Sequence, residues 1–134
     1  MTQDRALCTV TGSLLAQGRA IDRLSWLVTA AALLGLCTGR GWPMLPALAA
    51  GLVESFLAAR VAFDAALFRD LGRGTLPDLG AMDRALTELG LIPAARAGRG
   101  LPPRVAGARR LLRLQAIAFG VQLAALLGSL AVPG

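Results

Sequence analysis

Three polar side chains interrupt long apolar stretches of this sequence, and they are the first candidates for chemistry. Glu54 lies in the second of three such stretches, and Gln115 and Gln122 lie in the third. A carboxyl group inside a membrane segment can carry a proton, bind a cation or pair with an arginine, and a membrane amide needs a hydrogen-bond partner. We expect Glu54 to pair with Arg23, Arg113 or a partner's arginine, or to reach the interface. Transport through Glu54 is the alternative.

The residue types that are absent exclude several classes of enzyme. The sequence has no histidine, and all 14 basic residues are arginine. Without histidine there is no Ser-His-Asp triad and no imidazole base, and without lysine there is no Schiff base or P-loop. Cys8 and Cys37 lie far apart in the sequence with no nearby partner, so a zinc or iron–sulfur site is not expected within one chain. We therefore expect a protein that is not an enzyme and that uses no cofactor or metal.

The composition predicts an all-α integral membrane protein. Hydrophobic residues make up 55% of the 134 residues and charged residues 16%, whereas soluble domains carry about 25% charge. The apolar stretches predict three spans, at about 21–39, 41–59 and 114–133, in a single membrane domain covering 1–134. The alternative is a soluble bundle rich in alanine and leucine. A signal peptide fits less well, because the first apolar stretch begins too late.

The segment before the first span is expected to form a helix with one apolar face. In residues 5–21, Leu7, Val10, Leu14 and Ile21 lie near one side of a helix. Such an amphipathic helix can lie at the membrane interface or run into the first span. Packing against the protein's own cytoplasmic side is the alternative.

Arginine placement predicts how the chain is oriented in the membrane. The connection 69–113 contains nine arginines, whereas the hairpin between the first two spans contains only Arg40. Basic loops stay cytoplasmic, so we expect a bacterial inner-membrane protein with its N-terminus and this connection inside and its C-terminus outside. Within the connection, Asp78 is expected to cap a short cytoplasmic helix that ends near Leu89.

The last part of this connection is expected to contact anionic lipid headgroups, with an acidic partner protein as the alternative. Nucleic acid fits poorly, because no aromatic platform accompanies the charge. The arginines concerned are Arg96, Arg99, Arg104, Arg109, Arg110 and Arg113.

Small residues at helical spacing predict close packing in each span. Gln115 and Gln122 lie on a different side of the third span from its small residues, so this helix has two specialised faces. Two such faces favour contacts with other membrane subunits or with copies of the chain, although Gln122 can also bond within its own bundle. The small residues expected to pack are Gly35, Gly51, Ala116, Gly120, Ala124 and Gly128.

Together these features predict a non-enzymatic protein of a larger membrane complex. We expect a structural, assembly or regulatory subunit, which can be homo-oligomeric. The alternative is a small channel or a proton- or cation-coupled transporter that uses Glu54 and Gln122.

Overall fold

The computed structural model describes residues 2–132, and within this range every regular element is helical. Short helical turns at Leu36–Arg40, Trp42–Met44 and Ala94–Arg96 join the main helices. The five main helices are α1 (Thr2–Ala16), α2 (Gly18–Gly35), α3 (Leu45–Arg73), α4 (Leu79–Glu88) and α5 (Leu101–Ala131).

Three helical stretches are long and apolar enough to cross a membrane. They are Gln3–Arg40, which joins α1 and α2, Trp42–Arg73, and Leu101–Ala131. The predicted all-α class with three candidate spans is therefore confirmed. Each helical stretch is longer than the apolar segment that predicted it.

Glycine and a capping acid set the main turns between helices. Gly39 (φ 93°) and Gly41 (φ 66°) take the left-handed backbone conformation that lets α3 fold back along α2. Gly74 (φ 77°) ends α3 in the same way. At the start of α4 the Asp78 side chain accepts a hydrogen bond from the Ala81 amide at 2.7 Å, which satisfies a free N–H of the first turn.

Two of the spanning helices run parallel. Gln115 of α5 contacts Gly18 of α2, and seven residues further along both helices Gln122 contacts Ser25. The buried residues of α5 also recur every seventh position, which is the repeat of a left-handed coiled coil. They are Leu101, Ala108, Gln115, Gln122 and Ser129.

The third spanning helix, α3, runs antiparallel to the other two. Glu54 in its middle contacts Gln115, while Met44 just before its start lies against Ser129 near the end of α5. Its buried positions are separated by three, four or seven residues, which places them on one side of the helix. They are Ala47, Gly51, Glu54, Val61, Ala65, Phe68 and Leu71.

The bundle has two halves with different interiors. In the basal half (residues 2–17 and 61–111) the core is apolar, and it is built around Leu15, Val61, Phe68, Met82 and Leu86. In the span half (residues 18–60 and 112–132) the core is made of small and polar side chains. Its buried members include Ser25, Ala32, Met44, Ala47, Gly51, Glu54, Gln115, Gln122 and Ser129.

The surface of the span half is mostly apolar, and its exposed arginines lie towards its two ends. Leu52 is 76% exposed, Leu27 68% and Phe56 67%, and no other part of the described chain covers them. An apolar exterior around a polar interior is the reverse of a water-soluble bundle, and it suits a surrounding of lipid. The inversion therefore argues for the membrane and against the soluble alternative.

Helix α1 packs on α3 through a face other than the apolar one that the sequence suggested. Leu7, Val10 and Leu14 remain exposed. Gly12 instead lies so close to α3 that an added Cβ would stand 3.2 Å from the Arg69 amide nitrogen, and Leu15 is buried beside it. The helix thus contacts its own protein and still presents an apolar surface.

A largely buried ion pair joins α4 to α5 in the basal half. Arg104 of α5 bonds Asp83 of α4, and their side chains are only 15% and 6% exposed. The other Asp83 oxygen accepts from the Gly98 amide at 2.7 Å, and Arg104 also donates to the Arg99 carbonyl at 3.0 Å. These contacts fix the segment between α4 and α5, because the Asp83 carboxylate of α4 bonds both Gly98 within the segment and Arg104 just after it.

We expect Asp83→Ala to release this segment. Breaking a buried ion pair costs about 3–5 kcal/mol, and each 1.4 kcal/mol changes an opening equilibrium tenfold. Trypsin should therefore cut after Arg96 and Arg99 at least about tenfold faster than in the wild type. Glu88→Ala, which removes an exposed acid from the same helix, is the matched control. Equal cleavage of both variants would contradict the role of the pair.

Candidate functional site

The most distinctive site in the described chain is the polar core of the span half. At its centre the Gln122 side chain is fully buried and makes three hydrogen bonds. Its amide nitrogen donates to the Ser25 carbonyl at 3.2 Å and to the Thr29 hydroxyl at 2.8 Å, and its oxygen accepts from the Ser25 hydroxyl at 2.6 Å. All of these partners belong to α2, so Gln122 binds α5 to α2.

A second buried amide, that of Gln115, lies seven residues before Gln122 and joins all three helices. Gln115 of α5 donates to the Gly18 carbonyl of α2 at 2.9 Å and to Glu54 Oε1 of α3 at 2.8 Å. Glu54 and Gln115 are both 0% exposed. The structure therefore brings the three predicted intramembrane polar residues into one core, with Gln122 above and the Gln115–Glu54 pair below.

The Gln115–Glu54 pair has two acceptor atoms left over. Neither Glu54 Oε2 nor Gln115 Oε1 has a hydrogen-bond donor in the described part of the chain. Both atoms are buried and belong to side chains that already share one hydrogen bond. The pair is therefore held by one hydrogen bond, and one oxygen of each side chain is left without a donor.

The environment of Glu54 differs from the one that the sequence suggested. Its side chain is fully buried rather than interfacial. Within residues 2–132 it forms no ion pair with Arg23 or Arg113, and both arginines are exposed. An amide is the partner of Glu54 instead of a guanidinium group, because the heptad register places Gln115 opposite it at the same depth.

Two glycines make room for the amides. A Cβ on Gly18 would stand 2.7 Å from Gln115 Oε1. A Cβ on Gly51 would stand 2.7 Å from Gln122 Nε2 and 2.8 Å from the Thr29 hydroxyl oxygen. Such distances are shorter than van der Waals contact, so only glycine fits without moving the amides.

The contacts of the core are weaker at its end nearest the C-terminus of α5. The Ser129 hydroxyl donates to the Leu126 carbonyl of its own helix at 2.6 Å, and it lies 3.3 Å from the Met44 sulfur. Met44 also fills the space beside Gly35, where a Cβ would stand 2.9 Å from its terminal carbon. Gly35 therefore accommodates a flexible side chain and does not bring two helix backbones together.

The small residues of α5 lie on the outside of the bundle. Ala116, Gly120, Ala124 and Gly128 are all exposed. No atom lies within 4 Å of a Cβ placed on Gly120 or Gly128. Of the six small residues predicted to pack, Gly51 is buried in the core and these four leave an open stripe, which we call the α5 small stripe.

The six arginines predicted to contact lipid headgroups divide into two groups. Arg104 is held by Asp83, so its position is explained by the fold. The other five are exposed and lie in or beside the basal half. They are Arg96, Arg99, Arg109, Arg110 and Arg113.

Ser25, Thr29 and Gly18 bind the two glutamines, and none of the three was predicted from the sequence. A signal was present, because Gly18 and Ser25 have the same seven-residue separation as Gln115 and Gln122. Two helices that carry polar or small residues at one heptad interval can match them in register. Cys8 is buried and Cys37 exposed, and the described residues contain no cluster of histidine, cysteine or acidic side chains able to hold a metal ion.

The fold and its polar core define the architecture of a multi-pass membrane protein. No protein-family model matches the chain, and no curated protein or solved structure matches it either. Its function is therefore argued from its own residues.

We expect Gly51→Ala to destabilise the bundle and Gly120→Ala to leave it intact. The new methyl group at position 51 must displace the Gln122 amide, and leaving buried polar groups unpaired costs about 1–3 kcal/mol. At position 120 the methyl group enters open space. Unfolding of the two variants in detergent, followed by helical circular dichroism, compares their stabilities. An equal loss of stability in both variants would show that displacement of the Gln122 amide is not the cause.

Proposed function

We propose that the chain is a non-enzymatic structural, assembly or regulatory subunit of a larger bacterial inner-membrane complex. Its partners would be other membrane subunits or further copies of the chain. The observation that carries this proposal is the placement of the two faces of α5. Its amides bond inside the chain, whereas the small stripe that suits helix packing is left open on the outside.

The physical basis is how helices associate in lipid. Close approach of backbones provides dispersion contacts that large lipid-facing side chains prevent. Gly120 and Ala124 lie in the stripe between the bulkier exposed side chains of Val121 and Leu127. A helix of a neighbouring subunit could lie along the α5 small stripe without displacing any side chain of the bundle.

We further propose that the N-terminus and the basal half lie in the cytoplasm and the C-terminus outside. Three crossings put the chain ends on opposite sides, in agreement with the parallel course of α2 and α5. The arginines from Arg69 to Arg113 lie in or directly beside the basal half, and basic segments stay on the cytoplasmic side.

The experiment that tests the subunit proposal compares the small stripe with a neighbouring position. We expect Gly120→Leu to abolish association with the partner, since a leucine holds the helix backbones apart. Leu123→Ala, on the same exposed part of α5, should have little effect. Native mass spectrometry of complexes released in mild detergent measures both. A wild-type chain that is always released as a free monomer would overturn the proposal.

The second candidate function is a small channel or a proton- or cation-coupled transporter that uses Glu54 and Gln122. The buried Glu54 carboxyl favours it, because such groups mark ion paths in many transporters. Against it, Gln122 has every hydrogen bond of its amide engaged with α2, and Glu54 is bonded to an amide rather than to a second acid. We therefore prefer a structural role for both.

Glu54→Gln separates these two functions. A glutamine keeps the shape of the side chain, accepts from Gln115 Nε2 and can donate to Gln115 Oε1, so folding and assembly should match the wild type. A structural Glu54 predicts no proton or cation flux in liposomes for either form. Robust wild-type flux that disappears in Glu54→Gln, with assembly unchanged, would establish the transporter. Empty liposomes and Gly120→Ala are the controls.

A further inference from the structure

A groove opens on the side of the bundle where α3, α4 and α5 meet. Its volume is about 430 Å³. Apolar side chains line its inner wall, and all three helices contribute to them. They include Phe63, Phe68, Leu71, Leu86 and Leu111.

The rim of this groove is strongly basic. Arg60, Arg96, Arg99 and Arg110 line it together with Arg104, and Asp64 is the acid that accompanies them. Because Arg104 is held by Asp83, the lining contains four further arginines and one acid beside the apolar wall. Guanidinium groups bind phosphate oxygens through paired hydrogen bonds, so the rim is suited to an anion attached to an apolar body.

The groove also adjoins the lipid-facing surface of the span half. Leu114 belongs to its lining and is 38% exposed, and Ile117 continues the same exposed apolar surface along α5 at 55%. Phe63, on the α3 side, is 41% exposed. An acyl chain could therefore pass from the surrounding lipid to the groove along a continuous apolar surface.

We propose that this groove binds one anionic phospholipid from the adjacent membrane leaflet. The phosphate contacts the arginines of the rim, and one acyl chain lies along the apolar wall. This proposal is independent of the subunit proposal, because it concerns another face of the protein and leaves the α5 small stripe free.

The test uses the full chain in detergent with phosphatidylglycerol or phosphatidylcholine of identical acyl chains. Native mass spectrometry should show one phosphatidylglycerol retained at lipid concentrations where phosphatidylcholine is not. Equal retention of the two lipids would overturn the proposal. Full displacement of phosphatidylglycerol by inorganic phosphate would also overturn it, since the acyl chain would then contribute nothing.

Two variants at neighbouring positions test the groove itself. Gly107 lines the groove, and a Cβ placed on it meets no atom within 4 Å. Gly107→Phe should therefore fill the groove and abolish retention while the helix content stays unchanged. Ala106→Phe, at an exposed position outside the lining, should retain the lipid. Retention by both variants would place the lipid elsewhere.

A pair of double variants separates the rim from general positive charge. Arg60→Gln with Arg110→Gln removes two rim arginines, and Arg109→Gln with Arg113→Gln removes two exposed arginines outside the groove. Each basic residue near anionic lipid strengthens binding about fivefold, so the first pair should weaken binding roughly 25-fold. The second pair should change it by less than about threefold. Equal weakening would show an unspecific attraction and overturn the proposal.

Discussion

The rest of the structure depends on the need of Gln115 and Gln122 for hydrogen bonds in a fully buried position. An amide left without partners in hydrocarbon costs several kcal/mol, whereas packing one small residue contributes much less. Only one of the two faces of α5 can turn towards the bundle interior, and it is the face that carries the two glutamines. This choice fixes the rotation of α5, and with it the outward position of Gly120 and Gly128. The open stripe is thus a consequence of the buried amides.

The sequence allowed the fold class and the three spans to be predicted, because both depend on the number and placement of apolar residues. The helix cap at Asp78 was predictable for a similar reason, since it is a local signal. The face of α5 that turns inward was not predictable, because small and polar residues are equally plausible at a helix interface. The pair Asp83–Arg104 was also missed, since it depends on how the loop between two helices closes.

The change from a polar to an apolar core follows from the solvent on each side. In the span half the surface is apolar, so specificity must come from inside, through groups such as Gln122 and Ser25. The basal half carries most of the arginines, and burial of Phe68 and Met82 supplies its stability. Where the span half and the basal half meet, an apolar wall lies next to a basic rim. The groove beside Arg60 and Arg110 is at this boundary.

The polar core also limits what the chain can do alone. A path for ions needs polar groups that exchange partners with water or substrate, and each exchange must cost little. Gln122 would lose three hydrogen bonds to α2 before it could bind anything else. Glu54 is bonded to Gln115, which also bonds the Gly18 carbonyl, so an exchange of partner at Glu54 would loosen a contact that joins all three helices. Because these polar groups are engaged in holding three helices together, we expect the protein to act through its outer faces, where the α5 small stripe and the basic groove lie.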